Sequence, residues 1–179
     1  MSGKLQRVAI VGGSCAGKST LAKELSAILH LPHIELDALH WGPNWQENPR
    51  TQFLENLKSA TSEPCWVCDG NYTFARELVW ARAETLLWLN YSFPIVFCRA
   101  LRRTIGRVVN HTELFSGNRE TFTLSFLSRE SILLWVVQSH HRRKREIEKL
   151  VQQAEYRHLN VIELRSPAAT ERFVSQIRT

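Results

Sequence analysis

The sequence predicts a doubly wound α/β domain, with helices covering both faces of a mostly parallel sheet. Three observations lead there. Five short apolar runs alternate with stretches of helical periodicity. Several of those runs are apolar throughout, as strands buried on both faces are. A glycine-rich turn joins the first run directly to the first helix. The 179 residues, 44% hydrophobic and 22% charged, suffice for one domain over residues 1–179 with its own core. That balance also excludes wholesale disorder.

The strands are expected at Leu5–Val11, His33–Leu36, Cys65–Cys68, Thr85–Leu89 and Asn160–Leu164. The first helix, Lys18–Leu29, gathers Leu21, Ala22, Leu25, Ile28 and Leu29 on one side. The next, Pro49–Ala60, opens with Asn48 as cap and proline at the first helical position. Thr73–Ala83 carries Phe74, Leu78 and Ala81, and Phe93–Val109 starts after Ser92 with Pro94 in its first turn. A long helix is expected over about 129–153 and a last one over Ala168–Ile177. About seventy residues separate the fourth and fifth strands, far more than a crossover needs.

Several function classes drop out early. The longest apolar run is Ile132–Val137, too short to span a membrane. Met1–Leu5 leads straight into a strand and is not expected to be a signal peptide. Cys65 and Cys68 form a CxxC, but at i and i+3 of a strand they face opposite sides, and no second pair exists. All four cysteines are expected to be reduced thiols of a cytoplasmic protein.

The most specific signal is Gly12-Gly13-Ser14-Cys15-Ala16-Gly17-Lys18-Ser19, which fits GxxxxGK[ST] between a strand and a helix. Glycines there let backbone N–H groups turn inward around a phosphate, and the helix N-terminus adds partial positive charge. The expectation is an ATP site formed by Gly12, Gly13, Ser14, Cys15, Ala16, Gly17, Lys18, Ser19 and the adjoining Thr20. Lys18 would bridge the β- and γ-phosphates, and the Ser19 hydroxyl would hold Mg²⁺. Asp69, at the carboxyl end of the third strand, is the expected second Mg²⁺ residue, acting through water. Asp37, expected at the end of the second strand, would orient an acceptor hydroxyl and take its proton. His40, Trp41 and Trp45 follow in a Gly/Pro loop as candidate substrate contacts, the tryptophans as stacking surfaces or as a lid packed on the protein itself. Asn71 and Tyr72, just after Asp69, join them.

The formal charge of +6 is uneven. Residues 99–145 hold ten Arg or Lys against three acids, while the rest of the chain is close to neutral. Such an excess points to an anionic partner, either small-molecule phosphates or a nucleic acid. Arg99, Arg103 and Arg107 recur at i, i+4 and i+8, with Arg102 alongside, and Val96, Phe97, Leu101, Ile105 and Val108 are expected on the buried side. Arg103 is a candidate nucleotide contact, and Arg119, in a turn, could swing over the nucleotide. Arg142-Arg143-Lys144-Arg145 wind around most of a helix, so one or two of them at most face one ligand.

Asp-Ala-Leu-His-Trp-Gly-Pro-Asn-Trp, Asp-Gly-Asn-Tyr and Gly-Asn-Arg-Glu, together with the phosphate loop, resemble the bacterial adenylate-kinase-like proteins often labelled DNA topology modulation proteins. The resemblance runs nearly the length of the chain. It implies the P-loop NTPase fold of nucleoside and nucleotide kinases: a five-stranded parallel sheet of order 2-3-1-4-5 and a basic helical lid, here 110–128, between strands four and five. It also implies that Arg119, Arg142 and Arg143 close over the transferring phosphoryl group as catalytic residues with Lys18 and Asp37. Adenylate kinases hold the AMP phosphate with arginines where this chain has Asp37–Trp41 and Asp69–Thr73, and Arg50 and Arg76 are displaced. An uncharged hydroxyl acceptor fits those segments better than a phosphate, which needs compensating charge.

Three functions compete. The first is Mg-ATP-dependent phosphoryl transfer to a small hydroxyl compound, nucleoside or nucleotide. The second is a nucleotide-switched nucleic-acid-binding regulator. Only the basic stretch supports it, since no helix-turn-helix, RRM or zinc pattern is present. The third is a nucleotide-binding scaffold without catalysis.

Overall fold

Val8, Ala9, Ile10 and Val11 are apolar in every position, so the strand they form needs cover on both faces. They lie in β1 (Arg7–Gly12), at the centre of the sheet. The computed structural model describes residues 5–109 and 132–178. Its five strands, β1, β2 (His33–Glu35), β3 (Trp66–Asp69), β4 (Thr85–Leu89) and β5 (Asn160–Leu164), pair in parallel in the order β2-β3-β1-β4-β5. That is the order implied by the family resemblance.

The helices are α1 (Lys18–Leu29), α2 (Leu36–His40), α3 (Arg50–Ala60), α4 (Thr73–Trp80), α5 (Phe93–Val109), α6 (Ile132–Leu150) and α7 (Pro167–Arg178). Alternation along β1 divides the core in two. Val8 and Ile10 pack with Leu21 and Leu25 of α1, Val96 and Ala100 of α5 and Val174 of α7. Ala9 and Val11 pack with Phe53 and Leu57 of α3 and Ala75 and Val79 of α4. Helix α6 serves both layers, giving Val136 to the first and Ile147 to the second. It therefore crosses the sheet edge. Phe53 and Trp66 are fully buried in the second layer, where truncation to Ala typically costs about 3–5 kcal/mol.

Three expectations are corrected. The second strand ends at Glu35, and Leu36–His40 turn into α2. Asp37 therefore sits in the first turn of a short helix, not at a strand end. Asn48 does not cap α3: its side chain donates to the Leu39 carbonyl, and Pro49 takes the cap position with extended backbone. On α5 the buried row is Val96, Ala100 and Thr104, while Leu101 and Ile105 are 36% and 48% exposed. The helix is buried along an i, i+4 row one step round from the expected face. The expected lid at 110–128, with Arg119, lies outside the described residues, as do the side chains of Arg107 and Val108.

Candidate active site

The phosphate-binding segment leaves the carboxyl end of β1 and closes onto α1. Gly17 is the N-cap with φ 100°, a left-handed conformation that glycine adopts without a Cβ penalty. Within the loop, Ala16 N–H donates to the Gly13 carbonyl at 3.2 Å, and Cys15 takes φ 63° at the turn. Lys18 Nζ folds back on the loop and donates to the carbonyls of Gly12 at 3.3 Å and Gly13 at 3.2 Å. Burial lowers the Lys18 pKa, the carboxylates of Asp37 and Asp69 counter it, and Arg103 adds to the lowering. Lys18 is thus within electrostatic reach of two carboxylates while its hydrogen bonds go to loop carbonyls. A phosphate in the loop would satisfy it better. Thr20 is exposed on α1.

Asp69 is 3% exposed, and both its oxygens are engaged. Ser19 Oγ donates to Oδ2 at 2.7 Å, and His33 Nε2 lies 2.7 Å from Oδ1. A hydroxyl and a carboxylate converging where the loop ends in α1 are hard oxygen donors suited to Mg²⁺, which keeps several waters and binds through few protein groups plus phosphate. Among the described residues no group of three His, Cys, Asp or Glu side chains gathers to form a fuller protein cage. Ser19 and Asp69 fit magnesium on these grounds.

On the β2–β3 side, Asp37 Oδ1 accepts a 2.8 Å hydrogen bond from Tyr72 Oη. Burial and the Asp37 carboxylate push the Tyr72 phenol up, so it stays a donor. His40 packs against Trp41, Tyr72 and Phe53, with ring centroids 4.6, 4.7 and 6.2 Å away, and its Nε2 lies 3.6 Å from Glu47. The loop after α2 folds back on itself. Trp41 bridges Glu47, Gly42 N–H donates to Gln46 O at 2.8 Å, and Asn44 and Trp45 take positive φ. Trp41 and Trp45 meet edge to face at 5.6 Å. The aromatic segment is therefore a folded flap packed in part on itself. Asn71 is turned to the phosphate loop: its Nδ2 donates to Gly12 O, and its Oδ1 accepts from Gly12 N–H at 3.4 Å. This clamp ties the end of β3 to the end of β1.

The basic residues divide. Arg103 comes close enough to Lys18 to lower its pKa, and its buried Nε has no hydrogen-bond partner among the described residues. Arg99 reaches the loop directly, with Nη1 donating to Ala16 O at 2.8 Å and its guanidinium over the Tyr91 ring. Arg142 lies over Trp135, whose indole N–H donates to Ser14 Oγ at 3.1 Å. Arg143 turns the other way and donates to Asn71 O at 3.1 Å. Burial lowers its pKa, and Glu146 offsets part of this. Arg76 pairs with the same Glu146. The fold therefore brings Arg76 and Arg143 to one carboxylate beside the Asp37 region, although they lie far apart in sequence. Arg50 instead lies 4.8 Å over the Phe74 ring.

On the β4–β5 side, a hollow of about 520 Å³ opens among Tyr91, Phe93, His140, His141, Lys144 and Arg165. His140 borders Gly13, so the hollow meets the phosphate loop. Burial, with His141 and Lys144 close by, lowers the His140 pKa. The motif pointed to the loop and the expected strand ends to Asp69 and Asp37, and Arg99 was named only in the arginine stripe, while His33 and the Asn71 clamp were missed. Strand register and a helix–loop contact assemble them, and only the Arg99/Arg103 spacing hinted at any of it.

No family model matches the sequence, and no curated protein does. Solved structures match the fold. A shikimate kinase from Bacteroides thetaiotaomicron superposes with TM-score 0.56 at 15% identity, covering 97% of each chain. A shikimate kinase from Acinetobacter baumannii in complex with shikimate gives 0.52 at 14%, over 97% of this chain and 90% of that one. A gluconokinase from Sinorhizobium meliloti gives 0.51 at 14%, over 98% and 97%. The chain has the fold of these kinases. At such identities the likeness reaches the fold alone.

Proposed function

We propose that the protein is an ATP-dependent kinase that transfers the γ-phosphoryl group to a small hydroxyl compound. The observation that carries this is that Asp37 and Asp69 both lie within electrostatic reach of Lys18. One carboxylate is tied to the Ser19 hydroxyl and the other is held by Tyr72. The kinases of the same fold, one bound to shikimate, support the same reaction class.

ATP phosphates take the loop amides and Lys18, Arg103 supplies a guanidinium, and the 520 Å³ hollow receives the nucleoside. Ser19 and Asp69 would hold Mg²⁺, which would supply charge neutralisation on the phosphates. Asp37 orients the acceptor hydroxyl and takes its proton. The acceptor oxygen bonds to the γ-phosphorus as the bond to the ADP oxygen breaks. Arg142 and Arg143, with Arg119 and the 110–128 segment as lid, stabilise the transferring group and exclude water. Trp41, Trp45 and His40 form the acceptor's outer wall. Asn71 belongs to this site as the clamp on Gly12.

The test is a screen of nucleosides, nucleotides, polyols and hydroxy acids for acceptor-stimulated ADP release. At least one class is expected to stimulate release, and Lys18→Ala to abolish it. ADP release that no acceptor stimulates would contradict a kinase. Nucleic-acid binding is the second function in play. The basic stretch favours it, and its mark is sub-micromolar affinity at physiological salt with a steep salt slope.

A further inference from the structure

We infer that His33 is the positioning residue of the magnesium site, holding the Asp69 carboxylate in the plane that receives the cation. This rests on the proposed Mg-ATP site and adds a residue that neither the phosphate-loop motif nor the acceptor segment contains.

The placement follows from register. His33 pairs with Val67 and Glu35 with Asp69 in the parallel β2–β3 ladder. Side chains alternate along strands, so His33, Glu35, Val67 and Asp69 share one face. Val67 packs in the layer of α1, and Lys23 of α1 lies 3.7 Å from Glu35, so that face looks toward the helix carrying Ser19. His33 stands diagonally across from Asp69, at a separation a long side chain spans. Its Nε2 meets Oδ1 at 2.7 Å.

The two bonds to Asp69 differ in what else their donors serve. Ser19 Oγ donates its one proton to Oδ2 and keeps its lone pairs for a metal, so it serves both the carboxylate and the cation. His33 engages the opposite oxygen and need not move. The imidazole N–H on the second oxygen is the bond that fixes rotation of a carboxylate only 3% exposed, because its donor has no other duty at the metal. A buried carboxylate needs such a partner. Partners of metal-site residues also orient them, and their removal typically weakens metal affinity about 10–100-fold. Satisfying a buried carboxylate is one consequence of the bond. A fixed metal-binding plane is the other, and only the second is read out by Mg²⁺.

The experiment measures binding of a fluorescent ATP analogue to the full chain in EDTA and across a Mg²⁺ titration, for wild type, His33→Phe and His33→Gln. The expected result is unchanged affinity in EDTA for all three. The Mg²⁺ concentration that half-saturates the tightening should rise about 10–100-fold in His33→Phe. Most of the loss should be recovered in His33→Gln, whose amide nitrogen reaches the Nε2 position. Unchanged Mg²⁺ dependence in a folded His33→Phe overturns the assignment, and so does a Gln variant as weak as the Phe variant. Nitrogen-15 NMR of the wild type gives a reading that needs no variant. Nε2 is expected to carry the proton before and after Mg²⁺-nucleotide binds, and a proton on Nδ1 alone contradicts the donor role. Absence of ATP binding by the wild type would overturn the kinase proposal as well, whereas the other outcomes touch His33 only.

Discussion

The two carboxylates at the sheet edge, Asp69 and Asp37, differ in almost everything but charge. Asp69 belongs to a central strand and is held by Ser19 and His33 on its two oxygens. Asp37 belongs to a five-residue helix and is held by one phenol, beside a flap with positive φ at two positions. Under the proposed function, the nucleotide half of the cleft is thus built from strand ends and a helix start, and the acceptor half from a short helix and a loop. A rigid half suits a ligand of constant shape, triphosphate and metal. Loops carry the specificity that varies between proteins of one fold.

The most severe way to break this division is to remove either charge that serves the phosphoryl group. Lys18→Ala is expected to abolish turnover and nucleotide binding together. Asp37→Asn should lower turnover by about 10²–10⁴-fold, the usual contribution of a general base, while leaving nucleotide affinity intact. Steady-state rates alongside equilibrium binding separate the two. Tyr72→Phe removes the donor that orients Asp37 and should cost about tenfold in turnover, in keeping with a hydrogen bond to a charged group. An effect confined to thermal stability would show that Tyr72 only packs.

The halves also meet mechanically at Gly70. Its φ is 148°, and an added Cβ would lie 2.6 Å from Leu36 Cβ, just before Asp37. Gly70→Ala is expected to destabilise the protein by about 1–3 kcal/mol, read from denaturant midpoints, and to disturb acceptor use more than ATP binding. A smaller effect comes from pH. Because burial lowers the Lys18 pKa, its charge is lost as pH rises through that lowered value, and a bound phosphate favours the charged form. Nucleotide affinity should therefore weaken on the alkaline side sooner than an exposed lysine would allow, as measured by titration at a series of pH values.

How much of this could be read from the sequence follows the same division. Strands β4 and β5 and helices α1 and α5 lie where apolar runs and helical spacing put them, because burial alone decides them. The phosphate loop, Ser19 and Asp69 were legible because one local segment and one strand end carry them. Asp37 was expected at a strand end and lies in a short helix: Leu36 closes against Gly70, and that contact lies outside local periodicity. His33 and Asn71 depend on which strand neighbours which, and Arg76 and Arg143 depend on α6 crossing the edge of the sheet. The apolar side of α5 was misjudged because Arg99, although exposed, lays its guanidinium over Tyr91 and donates to the loop, so an arginine borders the buried row.

The division of labour between the two carboxylates is tested most directly in Asp37→Asn, by measuring Mg-ATP affinity and acceptor-stimulated ADP release on the same preparation. Wild-type affinity with release reduced by about two orders of magnitude or more is the expected result. Undiminished release, or loss of Mg-ATP binding along with it, would contradict the assignment of Asp37 to the acceptor and Asp69 to the metal.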